Sequence, residues 1–323
     1  MKPAAAALTG VLDRFRGGGR VSPLASDERL DGRVCLVTGA SRGLGKAVAE
    51  ALARRGGRVI MACRSGIPGA AEDVRRAAGS DAVEAIHVDL ADLDSVHGLC
   101  DTLRDRKVAL DVAVLNAGLV PRRARKTPQG FEAMFAVHFL ANRLLLLRLI
   151  EDGVIATDAP PSGARPRIVF VSSEAHRSAP PIDFERFGEF SDYGLREAMD
   201  AYGRSKLHTN TLASELSRRL DGGGDVRVAV HALCPGAVDS SIAREAPAMF
   251  KPVLGALMRL AFRSPAAAAE PVVYLACARE IEGRTGVYLH VLSEKAAAPE
   301  AVDPEKGRLL WEKSAELLRP HLR

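Results

Sequence analysis

The chain has 323 residues, 47% of them hydrophobic, and a formal net charge of +5. This length and apolar content fit one large domain with a well-buried core and exclude intrinsic disorder. Basic residues are interspersed with acids and form no stripe interleaved with aromatics, which argues against a nucleic-acid partner.

Residues 1–31 are rich in Ala, Gly and Arg, are broken by Gly17-Gly18-Gly19, and read as an N-terminal extension. The pattern then changes. Arg33–Val37 is a short apolar run that predicts a buried strand, and Leu44–Arg55 has helical periodicity. Further strands are expected at Arg58–Ala62, Val83–Val88, Asp111–Leu115, Arg167–Val171, Val226–Leu233 and Gly286–Val291. Helices are expected at Leu93–Arg104, Phe131–Ile150, Ala198–Leu220, Pro265–Ala278 and Pro304–Leu318. Nearly continuous apolar strands alternating with amphipathic helices predict an α/β fold in a single domain. Its form is a doubly wound, Rossmann-type parallel sheet of about seven strands with helices on both faces. The domain is expected over residues 32–293, with a C-terminal helical tail at 294–323.

Two segments interrupt the alternation, Ser178–Arg196 and Ser240–Ser264. Both would lie beyond the carboxyl ends of strands, where open α/β sheets bind ligands. The second, 240–264, carries Met249, Phe250, Val253, Leu254, Leu257, Met258 and Leu260. It reads either as an apolar substrate lid or as an ordinary packed helix. The five cysteines are scattered without a CxxC pair and the histidines lack metal-ligand spacing, so neither a disulfide framework nor a metal site is expected. No stretch reads as a membrane span or a signal peptide. The expectation is a soluble, cytoplasmic protein, with peripheral membrane contact left open.

The first strand ends in Thr38-Gly39-Ala40-Ser41-Arg42-Gly43-Leu44-Gly45. Glycines at a strand-to-helix turn let backbone approach a pyrophosphate, and the helix N-terminus offers it free N–H groups. An acid ending the second strand would hold the ribose 2′-hydroxyl of NAD. That strand ends instead in Ala62-Cys63-Arg64-Ser65. Arg42 and Arg64 suit a 2′-phosphate by charge and forked geometry, which favours NADP(H) over NAD(H).

Tyr202 and Lys206 stand at i and i+4 and share a helix face. A free tyrosine, with a pKa of about 10, is a poor base at neutral pH. A neighbouring ammonium favours the phenolate and lowers that value. Ser172 and Ser173 end the preceding strand, where a hydroxyl could hold a substrate oxygen against the same phenol.

In order, Thr38–Gly45, Val88-Asp89-Leu90, Asn116-Ala117-Gly118, Val171-Ser172-Ser173, Tyr202 with Lys206, and Pro235–Ser240 resemble the short-chain dehydrogenase/reductase superfamily over residues 32–292. The resemblance implies that Gly39, Ser41, Arg42, Gly43, Leu44 and Gly45 carry the pyrophosphate. Asp89 would meet the adenine and Leu90 the adjoining backbone site, and Asn116 and Gly118 would line the adenosine ribose side. Ser173 would polarise the substrate oxygen, Tyr202 would give or take the proton, and Lys206 would bind the nicotinamide ribose. Pro235, Gly236 and Val238 would shape the nicotinamide pocket, with Ser240 near its amide or the phosphates. Ala62-Cys63-Arg64, Val171–His176, Tyr202–Leu207 and the Met/Leu-rich segment before Ser264-Pro265 resemble the retinol dehydrogenase-like branch. That implies a hydrophobic aldehyde, ketone or alcohol as substrate.

One position departs from the family. His138 stands where an asparagine helps hold a water beside the catalytic lysine. Either His138 takes over this catalytic role and adds a pH dependence near neutrality, or Asn142 one turn later does, or the relay is impaired. The leading expectation is an NADP(H)-dependent oxidoreductase acting on an apolar carbonyl or alcohol. The alternative is a catalytically weak NADPH-binding sensor. A sugar-nucleotide epimerase shares the Tyr/Lys spacing but is disfavoured by the glycine spacing. The Phe131–Ile150 helix often packs on a second subunit in this family, so a homo-oligomer is left open.

Overall fold

The structure, a computed structural model, describes residues 19–158, 164–238 and 263–322. The strands are β1 (Val34–Thr38), β2 (Arg58–Cys63), β3 (Val83–His87), β4 (Val112–Leu115), β5 (Arg167–Val171), β6 (Ala229–Cys234), β7 (Tyr288–His290) and β8 (Ser293–Glu294). They form one sheet in the order β3-β2-β1-β4-β5-β6-β7-β8, parallel throughout except for the antiparallel β7–β8 pair. β8 is a two-residue edge, too short to announce itself in the sequence.

Both faces of this sheet are covered, which is why its inner strands read as unbroken apolar runs, while the outer strand β3 is only partly buried. All five residues of β5, and all six of β6, are buried. One face packs against α1 (Gly43–Arg54), α2 (Gly69–Ala78) and α6 (Pro265–Cys277). The other packs against α3 (Leu93–Asp105), α4 (Ala133–Glu151), α5 (Ala198–Leu220) and α7 (Pro304–Leu318). Because β1 pairs with β2 on one side and β4 on the other, chain direction across the sheet reverses between β1 and β4. In such sheets the ligand crevice lies above the carboxyl ends of the strands at this reversal.

α4 departs from expectation. Phe131–Ile150 was expected as one regular helix, but helix begins at Ala133 and passes through a π-helical turn, Ala136–Leu140, before resuming at Ala141. Asn142 Nδ2 and Thr209 Oγ1 both donate to the His138 carbonyl, at 2.9 and 3.1 Å, satisfying the oxygen that the wider turn frees. α4 is also long and apolar enough to cross a bilayer, contrary to the reading that no stretch qualifies, but 83% of its span is buried within the domain. It is a core helix.

The segments flanking the expected domain join its core. Leu30 is fully buried, and the Val21 N–H donates to the Leu292 carbonyl at 2.8 Å. At the other end Leu310 and Leu318 of α7 are sealed against the α5 side of the sheet.

Candidate active site

The glycine loop closes β1 into α1 with the geometry a dinucleotide cradle needs. Gly39 and Gly43 adopt φ of +65° and +56°, a conformation that strains any residue with a Cβ. At Gly45 a Cβ would fall 2.4 Å from Asn116 Nδ2 and 2.5 Å from the Gly39 carbonyl, so only glycine fits. α1 has no side-chain cap at Arg42, whereas α3, α6 and α7 are capped by Asp92, Ser264 and Asp303. The first N–H groups of α1 are thus left to an external acceptor, as a pyrophosphate-binding turn requires.

Thr38 and Asn116 fasten the two sides of the crevice. The Asn116 and Ala117 N–H groups donate to Thr38 Oγ1 at 3.0 and 3.1 Å, and Asn116 Nδ2 donates to the Thr38 carbonyl at 2.9 Å. Asn116 therefore shapes the cradle from below. Thr38 has the same role; the sequence places it in the glycine-loop motif without a function, because its partners lie 78 residues away. Asp89 accepts from its own turn at Ala91 N–H (2.9 Å), and Leu90 is buried. Arg42 and Arg64 are exposed, and among the described residues neither guanidinium is paired. Gly236 has φ +83°, and Val238 bridges to Arg263. Ser240, and the lid residues from Met249 to Leu260, lie outside the described residues.

Ser173, Tyr202 and Lys206 converge above β5 and β6. Ser173 caps a short 3-10 turn, accepting from the Ala175 N–H at 3.2 Å, and its hydroxyl bonds to that of Tyr202. Lys206 Nζ donates to the Val171 carbonyl at 3.0 Å and lies 5.7 Å from the Tyr202 ring centre. Burial lowers the ammonium pKa to about 8, so it stays charged at neutral pH. Burial also pushes the Tyr202 phenol up to about 12, with the Ser173 hydrogen bond opposing it. The expectation of a phenol lowered by Lys206 is corrected: desolvation is the largest influence and raises it, and the opposing one is Ser173, while the ammonium is held by the Val171 carbonyl. Tyr202 rests in a cluster with Met134, Tyr193, Leu119 and Val120.

His138 is not the pH-dependent water holder expected from sequence. Its ring is buried, and both nitrogens are occupied. The Leu119 N–H donates to Nε2 at 3.0 Å, so Nδ1 carries the proton and donates to Ser205 Oγ at 2.8 Å. Ser205 in turn donates to the Tyr202 carbonyl at 2.7 Å. Burial, then the Lys206 charge, hold the imidazole pKa well below its usual value, so the ring is neutral throughout the physiological range. This chain of bonds ties the loop after β4 to the helix that carries Tyr202. Asn142 keeps a buried Oδ1 without a partner on the same seam. His138→Leu would orphan the Leu119 N–H and the Ser205 oxygen at about 1–3 kcal/mol per buried group. Thermal unfolding should register that loss, and the parent pH–rate profile should show no histidine step between pH 5 and 8. A step near pH 6.5 that vanished in the variant would contradict the locked ring.

His176 supports the serine. Its Nδ1 donates to the Ser173 carbonyl at 2.7 Å, and its Nε2 accepts from the Ala298 N–H at 3.0 Å. The Ser178–Arg196 segment walls a cavity of about 480 Å³ on the flank of α5, and Ser173, Tyr202 and Lys206 are not in its lining. Only Tyr193 of that segment reaches the apolar cluster around Tyr202.

A proton donor with its orienting hydroxyl and ammonium, set beside a cradle for a dinucleotide, is the equipment of a nicotinamide-dependent oxidoreductase. The model of the short chain dehydrogenase family matches residues 33–182. Retinol dehydrogenase 13 from Homo sapiens is 37% identical over 91% of this chain and 86% of its own length. Polyprenol dehydrogenase from Mus musculus is 34% identical over 97% and 91%. Among solved structures, a putative uncharacterized protein from Mycobacterium paratuberculosis superposes with a TM-score of 0.67 at 26% identity, covering 94% of this chain and 98% of its own. The chain belongs to the short-chain dehydrogenase/reductase superfamily, in its retinol dehydrogenase-like branch, and is an oxidoreductase acting on CH–OH or C=O groups.

Proposed function

We propose that the protein is an NADP(H)-dependent reductase of apolar aldehydes or ketones, working in a reducing compartment. The observation that carries the reading is the convergence of the half-buried Tyr202 phenol, protonated at neutral pH, with Ser173 and Lys206 beside the glycine cradle. The protonated phenol is the form needed to donate a proton to a carbonyl oxygen as it becomes an alkoxide. Ser173 would hold that oxygen, and Lys206 would fix the cofactor ribose and place positive charge beneath the developing anion. A bound nicotinamide supplies the hydride. The cluster around Tyr202 favours an apolar substrate, as do the relatives named for retinol and polyprenol.

The preference for a 2′-phosphate rests on Arg42 and Arg64, two exposed cations flanking the cradle that have no partner among the described residues, with no acid at the end of β2. NADPH should be used with a KM at least about 10-fold below that for NADH, in line with one or two charge-assisted hydrogen bonds. Arg42→Glu/Arg64→Glu should erase the difference while leaving kcat with NADH near the parent value. The assay is NADPH oxidation with retinal, long-chain aldehydes and short polar ketones. Equal use of both cofactors would remove the NADP(H) assignment, and turnover confined to polar ketones would remove the substrate class.

A further inference from the structure

A second pocket, of about 290 Å³, lies on the outer face where α4, α5 and α7 meet. It is remote from the chemistry: Leu212 on its wall is ten residues, or about 15 Å, beyond Tyr202 along α5. Its walls are hydrocarbon from Leu146, Leu147, Ile150, Leu212, Leu216 and Leu220. Trp311 of α7 closes one side, clamped between two arginines. Arg143 Cζ lies 3.6 Å from the indole centre and Arg219 Cζ 4.4 Å. The two cations differ. Arg219 Nε donates to Glu215 Oε1 at 2.7 Å. Among the described residues Arg143, 3% exposed, has no ion pair, and its Nε is sealed from solvent without a hydrogen-bond partner.

A guanidinium sealed at one donor and without a hydrogen-bonded anion is costly, because the distant Glu151 charge on the rim returns only part of the ion's field. Stacking on Trp311 offsets part of that, but leaves its in-plane donors unused. Burial and then Arg219 lower the Arg143 pKa only to about 10, so the positive charge persists at neutral pH. The site combines a cation without a hydrogen-bonded partner with a wall of leucine side chains, and Glu151, the one acid that offsets its charge, is exposed on the rim rather than folded onto Arg143. A ligand that answers both must carry one anionic head on an apolar body. The volume is at the small end for ligand pockets, which suits a chain of about eight to ten carbons.

We propose that this pocket binds a medium-chain aliphatic carboxylate, its head on Arg143 and its chain along the leucine wall beside Trp311. Trp311 is the single tryptophan of the chain, so its fluorescence reports this pocket alone. Titrating the full chain with decanoate below its micelle concentration should produce a saturable change in that emission. Decanol has the body without the charge, and acetate the charge without the body. Each should bind at least about 10-fold more weakly, the value of a charge-assisted bond or of a few buried methylenes. Arg143→Met should weaken decanoate by the same factor while turnover without decanoate stays at the parent rate. Leu147→Glu, at a half-buried position of the wall, provides a second variant with the same expected loss if Arg143→Met fails to fold. No saturable change, or equal decanoate affinity in both variants, overturns the proposal. A Trp311 signal that follows protein concentration instead, with dimer seen in sedimentation, overturns it by giving the face to a second copy of the chain.

Discussion

Tyr202→Phe is expected to lower kcat for carbonyl reduction by about 100-fold to 10,000-fold, the usual span for removing a positioned acid. The ring remains to fill its apolar cluster, so folding and cofactor affinity should change little. The pH profile sharpens the test. Tyr202 retains its proton up to about pH 12, whereas Lys206 loses its own near pH 8. Reduction should therefore hold through neutrality and decline above about pH 8, as the charge beneath the forming alkoxide is lost. Alcohol oxidation needs the phenolate and should rise with pH over the same interval. Steady-state rates in both directions check this. A Tyr202→Phe enzyme within a few-fold of the parent would remove the phenol from the reaction.

Gly45→Ala should be the most damaging change in the cofactor cradle. The added methyl meets Asn116 Nδ2 at 2.4 Å and the Gly39 carbonyl at 2.5 Å. Neither can yield freely, since Asn116 is held by the Thr38 carbonyl and Gly39 belongs to the turn itself. The backbone must shift instead, at about 1–3 kcal/mol for an overpacked site. The shift opens the cradle where its N–H groups converge, and nicotinamide-cofactor affinity should fall at least about 100-fold, or roughly 2.7 kcal/mol. Gly43→Ala is the control. Nothing lies within 4 Å of its Cβ, so only the strain of φ +56° applies, about 1–2 kcal/mol. Calorimetric titration of both variants should rank Gly45→Ala well below Gly43→Ala, and the reverse order would show that steric closure at Gly45 is not what shapes the site.

Features that repeat along the chain were legible in the sequence. Strands β1, β2 and β4 to β7 show as apolar runs because they are covered on both faces, whereas the outer strand β3, with Glu84 and an exposed His87, is only partly buried; Tyr202 and Lys206 reveal a shared face by spacing alone. α2 was missed because only Ala70, Ala71 and Val74 are buried among its charged neighbours, too thin a stripe to announce a helix. The π turn was invisible because it depends on Asn142 and on Thr209, a residue from another helix, meeting one carbonyl. His138 was read with the wrong chemistry for the same reason. Its hydrogen-bond partners, Leu119 and Ser205, lie 19 and 67 residues away, and only the fold shows that they occupy both nitrogens. The phenol pKa likewise follows from burial, which no local pattern encodes.

The Thr38 hydroxyl joins the strand that opens the domain to a loop 78 residues later, directly beneath the cradle. Whatever fills that crevice rests on both halves of the sheet at once, so occupancy and global unfolding are thermodynamically linked. At a cofactor concentration 100 times its Kd the native state gains about 2.7 kcal/mol over the empty protein. The lifetime of this enzyme against proteases should then rise and fall with the nicotinamide nucleotide pool around it, making abundance a slow readout of redox supply.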